Sequence, residues 1–448
     1  MQVSIEDNNT NMNEIINYIL GFLLGEPVSP DIVAQIGYTS NTEEFHKYKL
    51  VILPSNFFDT EIYGTEQSLP KLPLQIWEET PLLFGESIIG TIDGTIILHA
   101  DIVASTYFLI TRYEEMVRRE SRDAHGRFQG KESLPYRAGF IDSPLVEEYG
   151  KILRSQLREA GIEVEEAPKK IRKVYFTHDL DKLAHYRALR GFLIGLLRGL
   201  RRPNEGNRAI RSFWGRLQND PWYTFPWLFN LDNIAKKALG TKRCESIVFI
   251  RAGSGIRKED QPLMLFHTPD FQTFMKLCKE NNITLGLHAS YEAGISPKRI
   301  KVEKKNLDRI AKKRTLYNRH HYLDTREPED MQTLLDAKIT DDFTLGYADV
   351  AGFRLGTCRP VKWINPVSQK LTTLTLHPLT MMDVCLSDKR YMFLNAHDAY
   401  EYCVRLIDVV ESWNGELVLL WHNTSVIKDP KLYHRDLYEK LIEYLKTK

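Results

Sequence analysis

Apolar residues along this chain alternate between two patterns. In the first third, KYKLVILPS (48–56) and TIILHAD (95–101) read as short extended segments, and DSPLVEEYGKILRSQLREAG (142–161) has helical spacing. Ser143 and Pro144 mark its start and Gly161 its stop. The charged, proline-containing EVEEAPKKIRK (163–173) that follows reads as a connector. From 174 onward, seven short apolar runs recur: VYFTHDLD, SIVFIRAG (246–253), ITLGLHAS (283–290), TLYNRHHYL (315–323), FTLGYADVAGFRLG (343–356), LTTLTLHPL (371–379) and ELVLLWHNT (416–424). Helical patterns such as PDFQTFMKLCKE and HDAYEYCVRLIDVVESW separate several of them. Strand–helix alternation predicts a parallel sheet or barrel. Seven strands fit a (β/α) barrel with one unit missing or distorted. The predicted organisation is an α/β chain: a smaller α/β (α+β) domain at 1–168, then a barrel at 169–448 with an insertion at about 184–243.

Length and composition agree with this division. At 448 residues the chain is long for one core and fits about two domains. Hydrophobic content of 43% and charged content of 27% belong to a folded globular protein, and a net charge of +1 gives no global field for nucleic acid. Five scattered cysteines without a CxxC pair point to free thiols in a reducing compartment. The start, MQVSIEDNNTNMNEIINYILGFLLG, lacks the basic region of a signal peptide, and its apolar part is too short to span a bilayer. A cytoplasmic location is the expectation.

In a parallel barrel, chemistry gathers at the C-terminal ends of the strands. Asp179 and Asp181 end the first run two residues apart, which on a strand puts both carboxylates on one face. His288 ends the third run, His320 and His321 lie late in the fourth, and His422 lies late in the last. One Asp with two His is a catalytic metal set, and a cation would let two adjacent carboxylates coexist as anions. Asp181 is then the ligand, and Asp179 stays free as a base. His320 and His321 face opposite sides of a strand, so one of them at most points at the site. Arg354, in GFRLGTCRP, can brace a carboxylate through its planar fork. His422, after an apolar run, suits a partly buried general acid. The plainer alternatives are an Asp N-cap, structural histidines and a surface ion pair; His99, His377 and His397 take the structural reading.

At this point residues 174 to about 430 resemble the polysaccharide deacetylases of carbohydrate esterase family 4, the NodB-homology proteins. FTHDLD is similar to the first family motif, GLHASYEAG to the second, GFRLGTCRP to the arginine motif, and LVLLWHN to the last. The resemblance implies a distorted (β/α)7 barrel that removes N- or O-linked acetyl groups from an acetylated carbohydrate with a divalent metal, usually Zn2+. It implies Asp179 as base, Arg354 as its brace, His422 as acid, and Asp181 and His288 as ligands. The sequence departs from the family where its HxxxH motif would place a second histidine, because that position is Glu292. The third ligand is therefore expected from His321, with His320 and Glu292 as rivals. The first 168 residues resemble an uncharacterised domain that precedes such units in a bacterial subfamily.

Two other functions use the same residues: a glycan-binding barrel without catalysis, and a glycosyltransferase using DLD as a DxD motif. The latter leaves His288, His321 and His422 without a role. Within the insertion, HYRALRGFLIGLLRGLRRP (185–203) is basic and apolar. Such a helix either packs on the barrel with its arginines in water or makes peripheral contact with an anionic membrane. The aromatic-rich NDPWYTFPWLFNLDNIAKKALG (219–240) reads as core or as a sugar-stacking wall.

Overall fold

The computed structural model describes residues 5–25, 28–253 and 255–448. Among the described residues the strands are β1 (Ile36–Tyr38), β2 (Leu50–Ile52), β3 (Gln75–Trp77), β4 (Thr80–Leu82), β5 (Gly85–Ile92), β6 (Thr95–Ala100), β7 (Lys173–Leu180), β8 (Cys244–Ile250), β9 (Thr284–Ala289), β10 (Tyr317–His320), β11 (Asp341–Asp342), β12 (Val361–Asn365), β13 (Lys370–Leu376), β14 (Met381–Met382) and β15 (Glu416–Leu420).

In the first third, strands run in the order β1-β2-β6-β5, with β1, β2 and β6 parallel and β5 antiparallel at the edge. Helix Ile102–Ile110 follows β6 and packs against helix Leu145–Glu159. The second ends as its sequence predicts: Gly161 takes the left-handed conformation, φ +81°, in which glycine carries no Cβ penalty. Helix Ile5–Leu24 packs against Leu145–Glu159.

The larger sheet has nine strands in the order β12-β13-β11-β10-β9-β8-β7-β15-β14, all parallel except the β12–β13 pair. β7, β8, β9 and β15 are almost wholly buried, which is why they read as continuous apolar runs rather than alternating ones. One stretch, 370–382, touches both sides of this sheet. At its start β13 pairs with β11, and Leu379 N donates to Leu345 O at 3.0 Å. At its end Thr380 N donates to Val418 O at 3.1 Å, and β14 pairs with β15. The fifth predicted strand, 343–356, is not one: β11 is the two-residue strand Asp341–Asp342 just before it, and Phe343 to Gly346 follow the turns set by Thr344 and the Asp342 carboxylate.

Most of the buried apolar residues of the two sheets belong to one continuous core. Tyr223, Phe225, Leu228 and Phe229 of the aromatic-rich segment are part of that core. All five cysteines are buried and free. Among the described residues no helix is long and apolar enough to cross a membrane.

Candidate metal and catalytic centre

Strand direction brings the ends of β7, β9, β10 and β15 to one rim, and with them five of the six predicted site residues: Asp179, Asp181, His288, His321 and His422. Asp181, His288 and His321 each offer a ligand atom, all within 4.8 Å of one another. His321 Nε2 lies 3.2 Å and His288 Nε2 3.4 Å from Asp181 Oδ1. His288 Nε2 is also 3.5 Å from Asp179 Oδ2.

Each imidazole is oriented by its far nitrogen. His288 Nδ1 donates to the Arg319 carbonyl at 2.9 Å, and His321 Nδ1 donates to Asp260 Oδ1 at 3.0 Å. Both therefore aim a lone pair at Asp181, the tautomer a metal ligand needs. His288 Nε2 and Asp181 Oδ1 are buried and have no hydrogen-bond partner. Two orphaned acceptor atoms facing each other are costly unless a cation joins them. The residues fit a divalent ion. Without one, burial raises the Asp181 carboxyl but His321 and His288 outweigh it and hold it well below the usual range.

Asp179, buried in the layer below, receives Arg319 Nη1 at 3.2 Å. Arg319 is fully buried. It also donates to Thr177 Oγ1 and the Phe343 carbonyl and lies over the Phe249 ring, 4.6 Å from its centroid. Burial pushes this guanidinium down from its ordinary value, opposed by the Asp179 charge. His422 completes the rim. Its Nδ1 faces Asp383 Oδ1 at 2.8 Å, its backbone N–H donates to Asp383 Oδ2, and its Nε2 is 3.8 Å from Asp181 Oδ2. Burial lowers its pKa, but Asp383 and then Asp181 and Asp179 outweigh that and carry it to about 10.

Several predicted roles move. Arg354 does not reach Asp179. Its guanidinium is engaged by Glu115 at 2.7 and 2.9 Å and by the Gly346 carbonyl at 2.7 Å, because its loop turns toward the first sheet. The carboxylate brace is Arg319. Glu292 pairs with Arg257 and stays out of the centre. His320 turns away from His321, bonds to Asn318 through Nδ1, and is driven down to about 3 by burial and by His288. The turn that brings in His321 holds Tyr322 and Leu323 at φ of 63° and 56°, an uncommon left-handed pair for such side chains.

Asp260, Asp383 and Arg319 were not anticipated. Arg319 had a signal: strand parity puts it on the same face as His321. Asp383 had one too, since it follows β14 at the same rim. Asp260 sits in a loop after β8 and had none. Above these groups lies a cavity of about 340 Å3. Asp179, Asp181, His321 and His422 form its floor, and Arg127 from the first third of the chain reaches its wall. Arg127 is held there by Asp123, by the Tyr322 carbonyl and by Tyr391.

Residues 5–161 match a family described as "Family of unknown function (DUF7033)". No curated protein matches the chain. A Mycobacterium smegmatis structure described as a "putative polysaccharide deacetylase" is 13% identical, covers 63% of this chain and 89% of that one, and superposes with a TM-score of 0.37. The 4-alpha-glucanotransferase of Thermococcus litoralis is 10% identical over 62% of this chain and 38% of that one, with a TM-score of 0.34. At such TM-scores, function has to be read from the site itself.

Proposed function

We propose that this chain is a metal-dependent hydrolase that removes acetyl groups from a carbohydrate. The observation that carries the reading is the pair of orphaned atoms, His288 Nε2 and Asp181 Oδ1, beside His321, on a floor shared with a carboxylate base and an imidazole acid. We read the seven strands β7, β8, β9, β10, β11, β13 with β14, and β15 as a distorted (β/α)7 barrel, closed by the stretch 370–382. The motif resemblance to the polysaccharide deacetylases supports the substrate class, as does a cavity of monosaccharide size.

Asp181, His288 and His321 would hold the ion, and the mixed Asp/His set favours Zn2+. When bound, such an ion polarises a carbonyl and lowers the pKa of water toward about 7. The remaining chemistry belongs to the chain. Asp179, held by Arg319, accepts the proton of the attacking water. His422, kept protonated by Asp383, gives its Nε2 proton to the departing amine or alcohol as the acyl bond breaks. Acetate and the free sugar group are the products. Asp260 and the Arg319 carbonyl keep both ligand rings in register.

Metal content of the purified chain tests the reading, with acetate release measured alongside. About one zinc per wild-type chain, kept in Glu292→Ala and lost in His321→Ala, is the expected result. Asp179→Asn should keep its zinc and lose turnover by a factor of about 100 to 10,000. A wild-type chain that stays metal-free when zinc is offered overturns the proposal.

A further inference from the structure

The insertion after β7 forms two antiparallel helices, Leu189–Gly199 and Pro203–Trp214, joined by a tight turn. Small residues let them touch. A Cβ at Gly199 would lie 2.7 Å from the Gly206 Cα, and one at Gly195 would lie 2.6 Å from the Ala209 Cβ. The base of this hairpin is fixed. The Asp220 carboxylate accepts the backbone N–H groups of His185 and Tyr186 and the Ser212 hydroxyl, while Arg187 grips Asp270 through two nitrogens at 2.8 Å.

What the hairpin presents outward is unusual. Leu189, Leu193 and Leu197 share one helical face, and Leu200 at the turn continues it. Ile210 and Trp214 form a second apolar row one turn apart. All six are exposed, most of all Leu200 at 83% and Trp214 at 76%. Arginines 190, 198, 201, 202, 208 and 211 are interspersed with them and exposed, and Glu205 is the sole acid between 185 and 216. The loop after the neighbouring strand β8 adds exposed Ile256, Leu263 and Leu265 on the same rim, since both connections leave the C-terminal ends of adjacent parallel strands.

We infer that this hairpin docks the protein on an anionic lipid surface. Charge selects the occupant. A second copy of the chain would set arginine against arginine, and nucleic acid would leave the leucine row in water. A lipid interface takes the apolar row among its chains and the arginines among its head groups. The distribution agrees, because the greatest exposure, at Leu200, lies at the turn between the two helices. The cavity opens on the same rim, so a docked molecule would keep its site near the lipid.

Flotation of the full chain with vesicles tests this. Equimolar phosphatidylcholine–phosphatidylglycerol vesicles at low salt should carry the wild-type chain upward, and pure phosphatidylcholine should not. The double variant Leu197→Glu/Leu200→Glu and the triple variant Arg198→Ala/Arg201→Ala/Arg208→Ala should each lower the bound fraction about tenfold or more. Circular dichroism and thermal melting should show both variants folded as wild type; every changed side chain is exposed. Wild-type chain left at the bottom of the gradient, or a leucine variant that floats equally well, overturns the proposal. So does a concentration-dependent dimer that the leucine variant abolishes while wild type ignores vesicles.

Discussion

His288 and His321 owe their roles to atoms on the far side of each ring. A backbone carbonyl fixes one and Asp260 fixes the other. The two fixings differ in strength, because a carboxylate raises the basicity of its histidine more than a neutral carbonyl does. Asp260→Asn should therefore weaken zinc binding about 10–100-fold, measured by competition with a chromophoric chelator. Unchanged affinity would remove His321 from the ligand set. Arg319 acts on Asp179 in a comparable way, but through charge. Arg319→Met leaves a buried carboxylate without its counter-ion, so stability should fall by about 3–5 kcal/mol in urea unfolding. Turnover should fall with it, while zinc stays bound, since Arg319 holds no ligand by its side chain. Loss of zinc in this variant would show that Asp179 itself belongs to the ligand set.

At the scale of the strand, 370–382 is the telling element. Its bend at His377 lies at the opposite end of the strands from the metal ligands. There the ring bridges Glu416 Oε2 at 2.7 Å and Asp341 Oδ1 at 3.0 Å, and stacks on Phe343 with centroids 4.4 Å apart. Burial lowers the His377 pKa, but hydrogen bonds to Asp341 and Glu416 outweigh it and raise it from 6.5 to about 9. A folded-state value above the unfolded one stabilises the fold fully below pH 6.5, and that gain fades as pH rises through about 9. Its size is on the order of 3 kcal/mol. The stability difference between wild type and His377→Gln should thus be largest at pH 6 and nearly gone at pH 10. Chemical denaturation across that range measures it, and a difference independent of pH would mean that the ring is neutral. The same element shows what a sequence can and cannot disclose. Strand ends and their parity were legible, because the apolar runs stop where the rim begins; Asp179, Asp181, His288 and His422 followed from that, and the third histidine was narrowed to His320 or His321. The brace was not. Arg354 and Arg319 are both arginines near strand ends, and only the path of the loop after β11 decides which one meets Asp179. His377 looked structural and holds two strands together, yet nothing in LTLHPL announces its two carboxylate partners.

For the whole molecule, the question is whether residues 169–448 stand alone. We propose two units divided near 168, but with a charge shared across the division. Arg354 and Arg112 both bind Glu115, and Arg112 also reaches Glu327, which accepts the Trp363 indole N–H. All of these groups are buried. Burial raises the Glu115 carboxyl, but Arg112 and Arg354 outweigh it and hold it far below the ordinary range. Removing residues 1–168 would strip Arg354 and Glu327 of Glu115 and Arg112 and expose to water the apolar core that both parts share. Losing that burial costs an amount comparable with the whole stability of a domain. A chain starting at 169 should therefore be insoluble or unfolded, although it carries every ligand of the centre. In the full chain, Arg354→Met should cost about 3–5 kcal/mol while leaving zinc content and the pH profile of turnover unchanged. That outcome separates a residue that holds two units together from one that acts at the reacting atoms. If Arg354→Met instead shifted the pH profile at full stability, the brace would have to reach Asp179 after all, and the shared charge at Glu115 could not be what binds the first 168 residues to the rest.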